Sequence, residues 1–319
     1  MKNFSVALCD VWFNRYSDAI RSRLPPGIEL ETVTAVSQIR RKESVRALIS
    51  YVYDAECLSL PGLRLLQIPG RGADGVDYKL LPDSVRVCNT EGHENAMFQY
   101  TLMMILAWLH NFREVTSLLS TGSWSLGTIR NFKLFQELSS QHIGVVGLGN
   151  LGRHLCGSFQ KLGAHIYGIS NQSMGTSHPF PVVPYNRIDS VLPELDFVVL
   201  CCRPTESSRN IINQGSLRMM KKTSVVINVA RQDCVSEGAL YYALKDGRIG
   251  GAVLDVWGNY PTAQGETAPF ANYPFHALDN VIATPHCSAL SEQAVVKRCT
   301  SIADNIGRLY EGRPLLNCL

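Results

Sequence analysis

The sequence predicts an α/β protein made of two doubly wound parallel domains, and three observations carry that prediction. Short apolar runs recur in a strand rhythm from residue 4 onward, and a long apolar helical stretch beginning at Glu94 interrupts them. Behind it the rhythm restarts with a strand that leads into Gly147-Leu148-Gly149-Asn150-Leu151-Gly152. The 319 residues, 45% hydrophobic and 18% charged, supply enough apolar material for a large core and enough length for two domains.

In the first domain, residues 4–9, 28–33, 47–52, 63–68 and 85–88 read as strands. Turn residues such as Pro25-Pro26-Gly27 and Pro61-Gly62 stand ahead of two of them, as in the short connections of doubly wound folds. Residues 94–113 are apolar on almost every face (Met97, Phe98, Leu102, Met103, Met104, Ile105 and Leu106). They predict a helix buried on several sides, in the core or at a subunit interface. A second set of strands follows at residues 142–146, 164–169, 197–200, 224–228, 251–256 and 281–283, six in the rhythm of a complete Rossmann-type domain. The chain turns helical again over residues 291–310. Because the first domain's rhythm lacks a closing helix, this segment is expected to pack back on it. The predicted division is residues 1–95 with 289–319 as one domain and 96–288 as the other.

Composition excludes several classes of function. A formal charge of +3, with no block of like charges, does not fit a nucleic-acid or anionic-membrane partner, whereas a small anionic substrate would suit it. The longest apolar runs, such as residues 102–109, are too short to cross a bilayer. The ten cysteines, including the adjacent Cys201 and Cys202, show neither paired spacing nor a secretory leader, so we expect reduced, mostly buried thiols in a cytoplasmic protein.

The glycine motif follows a strand and opens a helix, the context in which such a motif binds a dinucleotide. Gly147 permits the tight turn, Gly149 lets backbone amides approach a pyrophosphate, and Gly152 allows close packing of helix on strand, with Asn150 and Leu151 in the first helical turn. The second strand should end in an acid if the adenosine ribose of NAD is to be held, but the chain reads Ile169-Ser170-Asn171-Gln172-Ser173. Without that carboxylate a 2′-phosphate meets no repulsion. Ser170, Asn171 and Gln172 could hydrogen-bond it, although no arginine is present to clamp it. The reading leans to NADP(H) over NAD(H).

Three later segments, Asn228-Val229-Ala230-Arg231, Leu254-Asp255-Val256-Trp257 and Thr284-Pro285-His286, follow the glycine motif in order. With Gly72-Ala73-Asp74-Gly75-Val76-Asp77 ahead of it, and Pro204-Thr205 with Arg209 to Asn213 between, the chain resembles the D-isomer-specific 2-hydroxyacid dehydrogenase superfamily. The resemblance implies a flavodoxin-like substrate domain, a Rossmann cofactor domain, an active site between them, and a homodimer. It also implies hydride transfer between NAD(P)H and a small 2-keto or 2-hydroxy acid. Such chemistry needs the substrate carboxylate held, its carbonyl polarised and the developing alkoxide protonated. Arg231, at the end of a strand, can hold carboxylate and carbonyl oxygens with paired hydrogen bonds, and by resemblance is the catalytic arginine. His286, whose imidazole titrates near neutrality, is suited to give and take the proton. Backbone amides at Gly72 and Ala73 would bind the substrate carboxylate, and Arg71 would add positive charge there, unless it forms a surface ion pair. Cys202, Arg203, Pro204 and Ala230 would lie along the cofactor. Asp255 would contact its nicotinamide end or cap a turn.

The chain departs from the family pattern in two places. Tyr260-Pro261 stands where a glutamate normally precedes proline, which makes Tyr260 the expected partner of His286, with Glu266 the alternative occupant if a gap falls before it. A phenol can orient an imidazole but does not stabilise imidazolium as a carboxylate does, so the proton relay should suit reduction at lower pH. Phe98 and Gln99 replace a small residue and a glutamate, and Gln232 replaces the glycine after the arginine, which leaves the substrate's identity open. Two other readings stay open as well: a dehydrogenase of another small anion, of the phosphite or formate type, and a dinucleotide-sensing, corepressor-like binding protein.

Overall fold

The computed structural model describes residues 4–126, 134–171, 177–261 and 270–319. It divides into two compact units, Met1–His93 with Leu290–Leu319, and Glu94–Ala289.

The first unit is built on a parallel sheet of five strands: β1 (Ser5–Cys9), β2 (Glu29–Val33), β3 (Val45–Ile49), β5 (Leu65–Gln67) and β7 (Arg86–Cys88). They are ordered β2-β1-β3-β5-β7, which is the flavodoxin-like arrangement. Two short strands, β4 (Val52–Tyr53) and β6 (Gly75–Val76), pair with each other outside it. Alternation with period two sorts the side chains onto two faces. Val6, Leu8, Ala47, Ile49, Leu65 and Cys88 face Ile20 of helix α1 (Ser17–Arg21) and Cys299, Ile302 and Ile306 of the C-terminal helix Glu292–Glu311. Ala7, Leu48, Leu66 and Val87 face Val36, Ile39, Cys57 and Leu60 on the other side. That second cover is made of short 3-10 turns, Val36–Gln38 and Ala55–Ser59. Ser291 caps the C-terminal helix by accepting from the Ala294 amide, and buried Asn305 ties it to β5 by donating to the Gln67 side chain at 2.8 Å.

The second unit opens with helix α2 (Glu94–Leu109) and α3 (Phe112–Ser120). The expected single helix over residues 94–113 is broken at Asn111, whose φ of +50° a continuing helix does not allow. Nor is α2 buried on several sides within the chain. Met97, Tyr100, Thr101, Met104 and Ile105, spaced as one helical stripe, are buried, while Met103 and Leu106 on other faces are exposed. The sheet comprises β8 (His142–Val146), β9 (His165–Ile169), β10 (Val182–Val183), β11 (Phe197–Leu200), β12 (Val225–Asn228), β13 (Gly251–Leu254) and β14 (Val281–Ala283). All neighbours are parallel, in the order β10-β9-β8-β11-β12-β13-β14. The two-residue β10, flanked by Pro181 and Pro184, was not foreseen. One face of the sheet packs on α2 and α4 (Asn150–Lys161), and the other on α5 (Gln214–Met219) and α6 (Glu237–Lys245).

All ten cysteines are free thiols, six of them buried. Burial pushes Cys156 up to about 12, and Cys9 and Cys57 up to about 11, so these thiols stay protonated and unreactive near neutrality. No helix among the described residues is long and apolar enough to cross a membrane.

Candidate active site

In the second sheet the order reverses at β8, which lies between β9 and β11, and ligands of such sheets bind beyond the C-terminal strand ends at that point. The glycine turn sits there, directly after β8. Gly147 has a φ of +99°, and a Cβ on it would stand 2.7 Å from the Cys202 Cα, so Cys202 is the backstop of the turn. A Cβ on Gly152 would run into the Gly147 carbonyl oxygen. These two glycines are dictated by the protein's own packing. Gly149 is not: it is the N-cap residue of α4, and a Cβ there would meet no protein atom within 4 Å. Open space above a capping glycine, at the positive end of a twelve-residue helix, is a fit for a pyrophosphate.

Arg231 follows β12, held by Asn228. The buried Asn228 side chain accepts from the Ala230 amide at 3.1 Å and donates to the Arg231 carbonyl at 3.0 Å, so it fixes the backbone on both sides of the turn. The Arg231 guanidinium donates to the Ala230 carbonyl at 2.7 Å. Ala230 is itself buried, with its amide committed to Asn228.

His286 follows β14, two strands along the same edge, in a turn that other residues clamp from several directions. Its φ is +56°, a conformation that L-residues seldom adopt. Asp255, at the end of β13 and fully buried, accepts from the Thr284 hydroxyl at 2.6 Å, from the Cys287 amide at 2.8 Å and from the Ser288 amide at 2.9 Å. Successive amides converging on one anion are the expected outcome of a positive φ just before them. The Trp257 indole donates to the Thr284 carbonyl at 2.8 Å, and the Thr284 amide donates to the Leu254 carbonyl at 2.9 Å. Of the two roles open to Asp255, the structure shows the turn-holding one. The Tyr260 ring lies with its centroid 5.4 Å from that of His286, tilted by 42°, and its hydroxyl oxygen accepts from the Trp257 amide at 3.1 Å. Glu266 lies outside the described residues.

The remaining expected site residues divide. Arg203 is exposed and Pro204 half-buried beyond β11, where the Ser208 hydroxyl holds the turn by donating to the Arg203 carbonyl at 2.6 Å. Ser170 is buried beneath Tyr185, to which it is hydrogen-bonded, so its hydroxyl does not face solvent as the cofactor argument had it. Asn171 is exposed but spends its carbonyl oxygen on the Tyr185 amide at 2.9 Å. Gln172 lies outside the described residues. In the first unit, Arg71, Gly72 and Ala73 are half-buried on the loop between β5 and β6, pinned where the Asn89 side chain donates to the Arg71 carbonyl at 3.1 Å. The Arg71 guanidinium pairs with Glu91, the ion-pair role weighed against substrate binding.

Asn228, Trp257 and Thr284 stand inside the motifs that carried the resemblance, but their holding roles appear only in three dimensions. Tyr100, whose hydroxyl lies 2.6 Å from the Thr284 Oγ1, gave no signal at all, because 184 positions separate the two.

A dinucleotide-type glycine turn, an arginine and a histidine at the C-terminal edge of one parallel sheet define a nicotinamide-dependent oxidoreductase class. The family model for the NAD binding domain of D-isomer specific 2-hydroxyacid dehydrogenases matches residues 102–288, more than half of the chain. The chain belongs to this family of oxidoreductases, which transfer hydride between NAD(P)H and 2-keto or 2-hydroxy acids. A D-3-phosphoglycerate dehydrogenase from Methanocaldococcus jannaschii is 29% identical over 259 residues, 78% of this chain and 46% of that protein, so the chain spans about half that relative's length. A glyoxylate reductase from Thermofilum pendens is 28% identical over 311 residues, 95% of this chain and 86% of that one. Solved structures show the same fold. A D-isomer specific 2-hydroxyacid dehydrogenase from Xanthobacter autotrophicus, in complex with NADPH and MES, has a TM-score of 0.82 at 24% identity, covering 100% of this chain and 98% of that one. An NADPH-dependent glyoxylate/hydroxypyruvate reductase from Sinorhizobium meliloti, in complex with NADP and sulfate, has a TM-score of 0.81 at 21% identity, covering 99% and 98%.

Proposed function

We propose that this chain is a reductase of small 2-keto acids, with Arg231 and His286 as its catalytic pair and NADP(H) as its preferred cofactor. The observation that carries the reading is the bracing of the backbone at both residues: buried Asn228 fixes the backbone at Arg231, and buried Asp255 fixes the backbone just beyond His286, at the same edge of one sheet. Pre-organisation of this kind, spent on two polar residues at a strand edge, is what a site gains from and a core does not.

The cofactor would lie on Gly147, Gly149, Asn150, Leu151 and Gly152, passing Cys202, Arg203, Pro204 and Ala230, and when bound it supplies or accepts the hydride at the substrate's C2. Arg231 holds the substrate carboxylate and carbonyl oxygen through its planar donor pair, and so stabilises the negative charge that grows on that oxygen. His286 donates the proton to the same oxygen in reduction and removes it in oxidation. Tyr260, whose ring lies against the imidazole, orients it. Gly72 and Ala73 would present backbone amides to the carboxylate from the first unit, read as the substrate domain. Arg71, already neutralised by Glu91, adds less there. The name of the Thermofilum pendens relative points to a short 2-keto acid, and solved relatives carry NADPH or NADP in some cases and NAD in another. That preference rests here on the lack of an acid after β9, since Ser170 is turned inward. Met103 and Leu106, exposed on the apolar helix α2, support a homodimer, and the free thiols fit the cytoplasm.

Oxidation of NADPH and NADH followed at 340 nm ( rates of ~1–1000 per second bracket the assay) across 2-keto acids of increasing chain length tests the reading. Turnover with at least one, lowered about 100-fold or more in kcat/KM by Arg231→Ala, is the expected result. Inertness toward every 2-keto acid, together with reduction of NADP by phosphite, would replace the reading with its small-anion rival. Equal affinity for NADPH and NADH in calorimetry would remove the cofactor preference alone.

A further inference from the structure

Tyr100 takes no part in the reaction assigned above, yet it is wired to the turn that carries His286. Its ring is buried in the core between α2 and the sheet, and its hydroxyl lies 2.6 Å from the Thr284 Oγ1. The direction of that bond follows from the next one. Thr284 has a single hydroxyl proton, and it goes to the Asp255 carboxylate at 2.6 Å, so Thr284 must accept from Tyr100. The chain of donation runs Tyr100 to Thr284 to Asp255. Burial, and more weakly the nearby Asp255 charge, push the Tyr100 phenol well up, so it keeps its proton and remains a donor.

Asp255 is the anion at the end of that chain, and its two oxygens also take the Cys287 and Ser288 amides that follow His286. His286 is held at a φ of +56°, which an isolated histidine would leave for the negative region. Relaxation there would swing the Cα–Cβ bond and carry the imidazole away from any fixed proton acceptor. Proton transfer needs the two heavy atoms within hydrogen-bond reach, so it is sensitive to such a swing.

We infer that Tyr100 is a positioning residue for His286, acting through Thr284 and Asp255 to hold the left-handed backbone that aims the imidazole at the substrate. The inference rests on the reading of His286 as the proton donor. It assigns a role in the reaction to a residue outside the motifs that carried the resemblance, and it explains why a phenol sits in the buried stripe of α2 beside Met97, Thr101, Met104 and Ile105.

Tyr100→Phe removes the hydroxyl and keeps the ring, so the core stays filled. The expected result is a protein with wild-type circular dichroism, kcat for 2-keto acid reduction lowered about tenfold, and KM for NADPH unchanged. Amide hydrogen exchange at Cys287 and Ser288 should quicken by about tenfold. Thr284→Val should reproduce both effects, while Thr284→Ser, which keeps the relay hydroxyl, should restore them to wild-type values. Wild-type kcat in Tyr100→Phe, or wild-type exchange at Cys287 and Ser288, overturns the inference. A wild-type enzyme inert toward every 2-keto acid would instead remove the assigned reaction. The exchange rates then decide the brace by themselves: quickening in Tyr100→Phe keeps it, and no change removes it.

Discussion

The turn at residues 147–152 and the turn at residues 284–288 both close strands of the second sheet, and they reach their shapes by opposite means. At the first, side chains are missing: Gly147 has Cys202 at its back, and Gly152 has the Gly147 carbonyl oxygen where a Cβ would go. At the second, side chains are supplied from elsewhere: Asp255 from β13, Trp257 just beyond it and Tyr100 from α2 hold a histidine in a conformation that glycine would adopt unaided. The first device is cheap and local. The second costs several buried polar groups, each needing its partner, but it allows an ionisable side chain where a glycine would offer none.

Ranked by their effect on stability, three substitutions break this comparison at different points. The largest loss is expected from Gly152→Ala, because the added Cβ meets backbone, which cannot rotate away. Unfolding in urea should show a loss of about 3 kcal/mol. A loss under about 1 kcal/mol would mean that α4 shifts freely, and that the turn is less tightly dictated by packing than the geometry implies.

Asp255→Asn comes next. An amide offers one acceptor oxygen where three donors converge, and its NH2 group would face N–H groups, so about 2 kcal/mol should be lost. The same variant should lose most of its kcat, because His286 no longer has a fixed backbone. An Asp255→Asn protein with full stability and full kcat would show that the second turn holds itself, which would erase the contrast between the two.

The contrast also accounts for what the sequence made legible. A turn built from absent side chains leaves its mark in consecutive residues, and the spacing of Gly147, Gly149 and Gly152 could be read directly. Arg231 and His286 could be named because each sits in a short motif at the end of an apolar run. Tyr100 could not, since its partner is 184 positions away and a tyrosine among leucines and methionines reads as core. Apart from β10, the strands of the two large sheets were visible as apolar runs, three of them with both ends in place and the others with ends shifted by up to three residues. The breaks were not: Asn111 ends α2 through a local φ of +50°, and β10 is two valines between prolines. The inward turn of Ser170 onto Tyr185 likewise depends on a contact between residues fifteen positions apart, which composition at the strand end does not reveal.

Gly149 is the third position, and there the two means of fixing a turn separate cleanly from a third, the ligand. Its φ of −70° suits any residue, and no protein atom lies within 4 Å of a Cβ built on it. Gly149→Ala should therefore leave stability unchanged to within about 0.5 kcal/mol, or raise it slightly by stiffening the unfolded chain. If the glycine is there so that a pyrophosphate can approach the backbone, the same methyl should weaken NADPH binding about tenfold or more in calorimetry, since it would occupy the space above the helix terminus. Unchanged affinity would place the pyrophosphate elsewhere and leave Gly149 without a physical reason. Lost stability would mean that Gly149, like Gly152, is fixed by the protein itself. Only the combination of intact stability and weakened binding identifies a glycine whose side chain is excluded by something other than the protein.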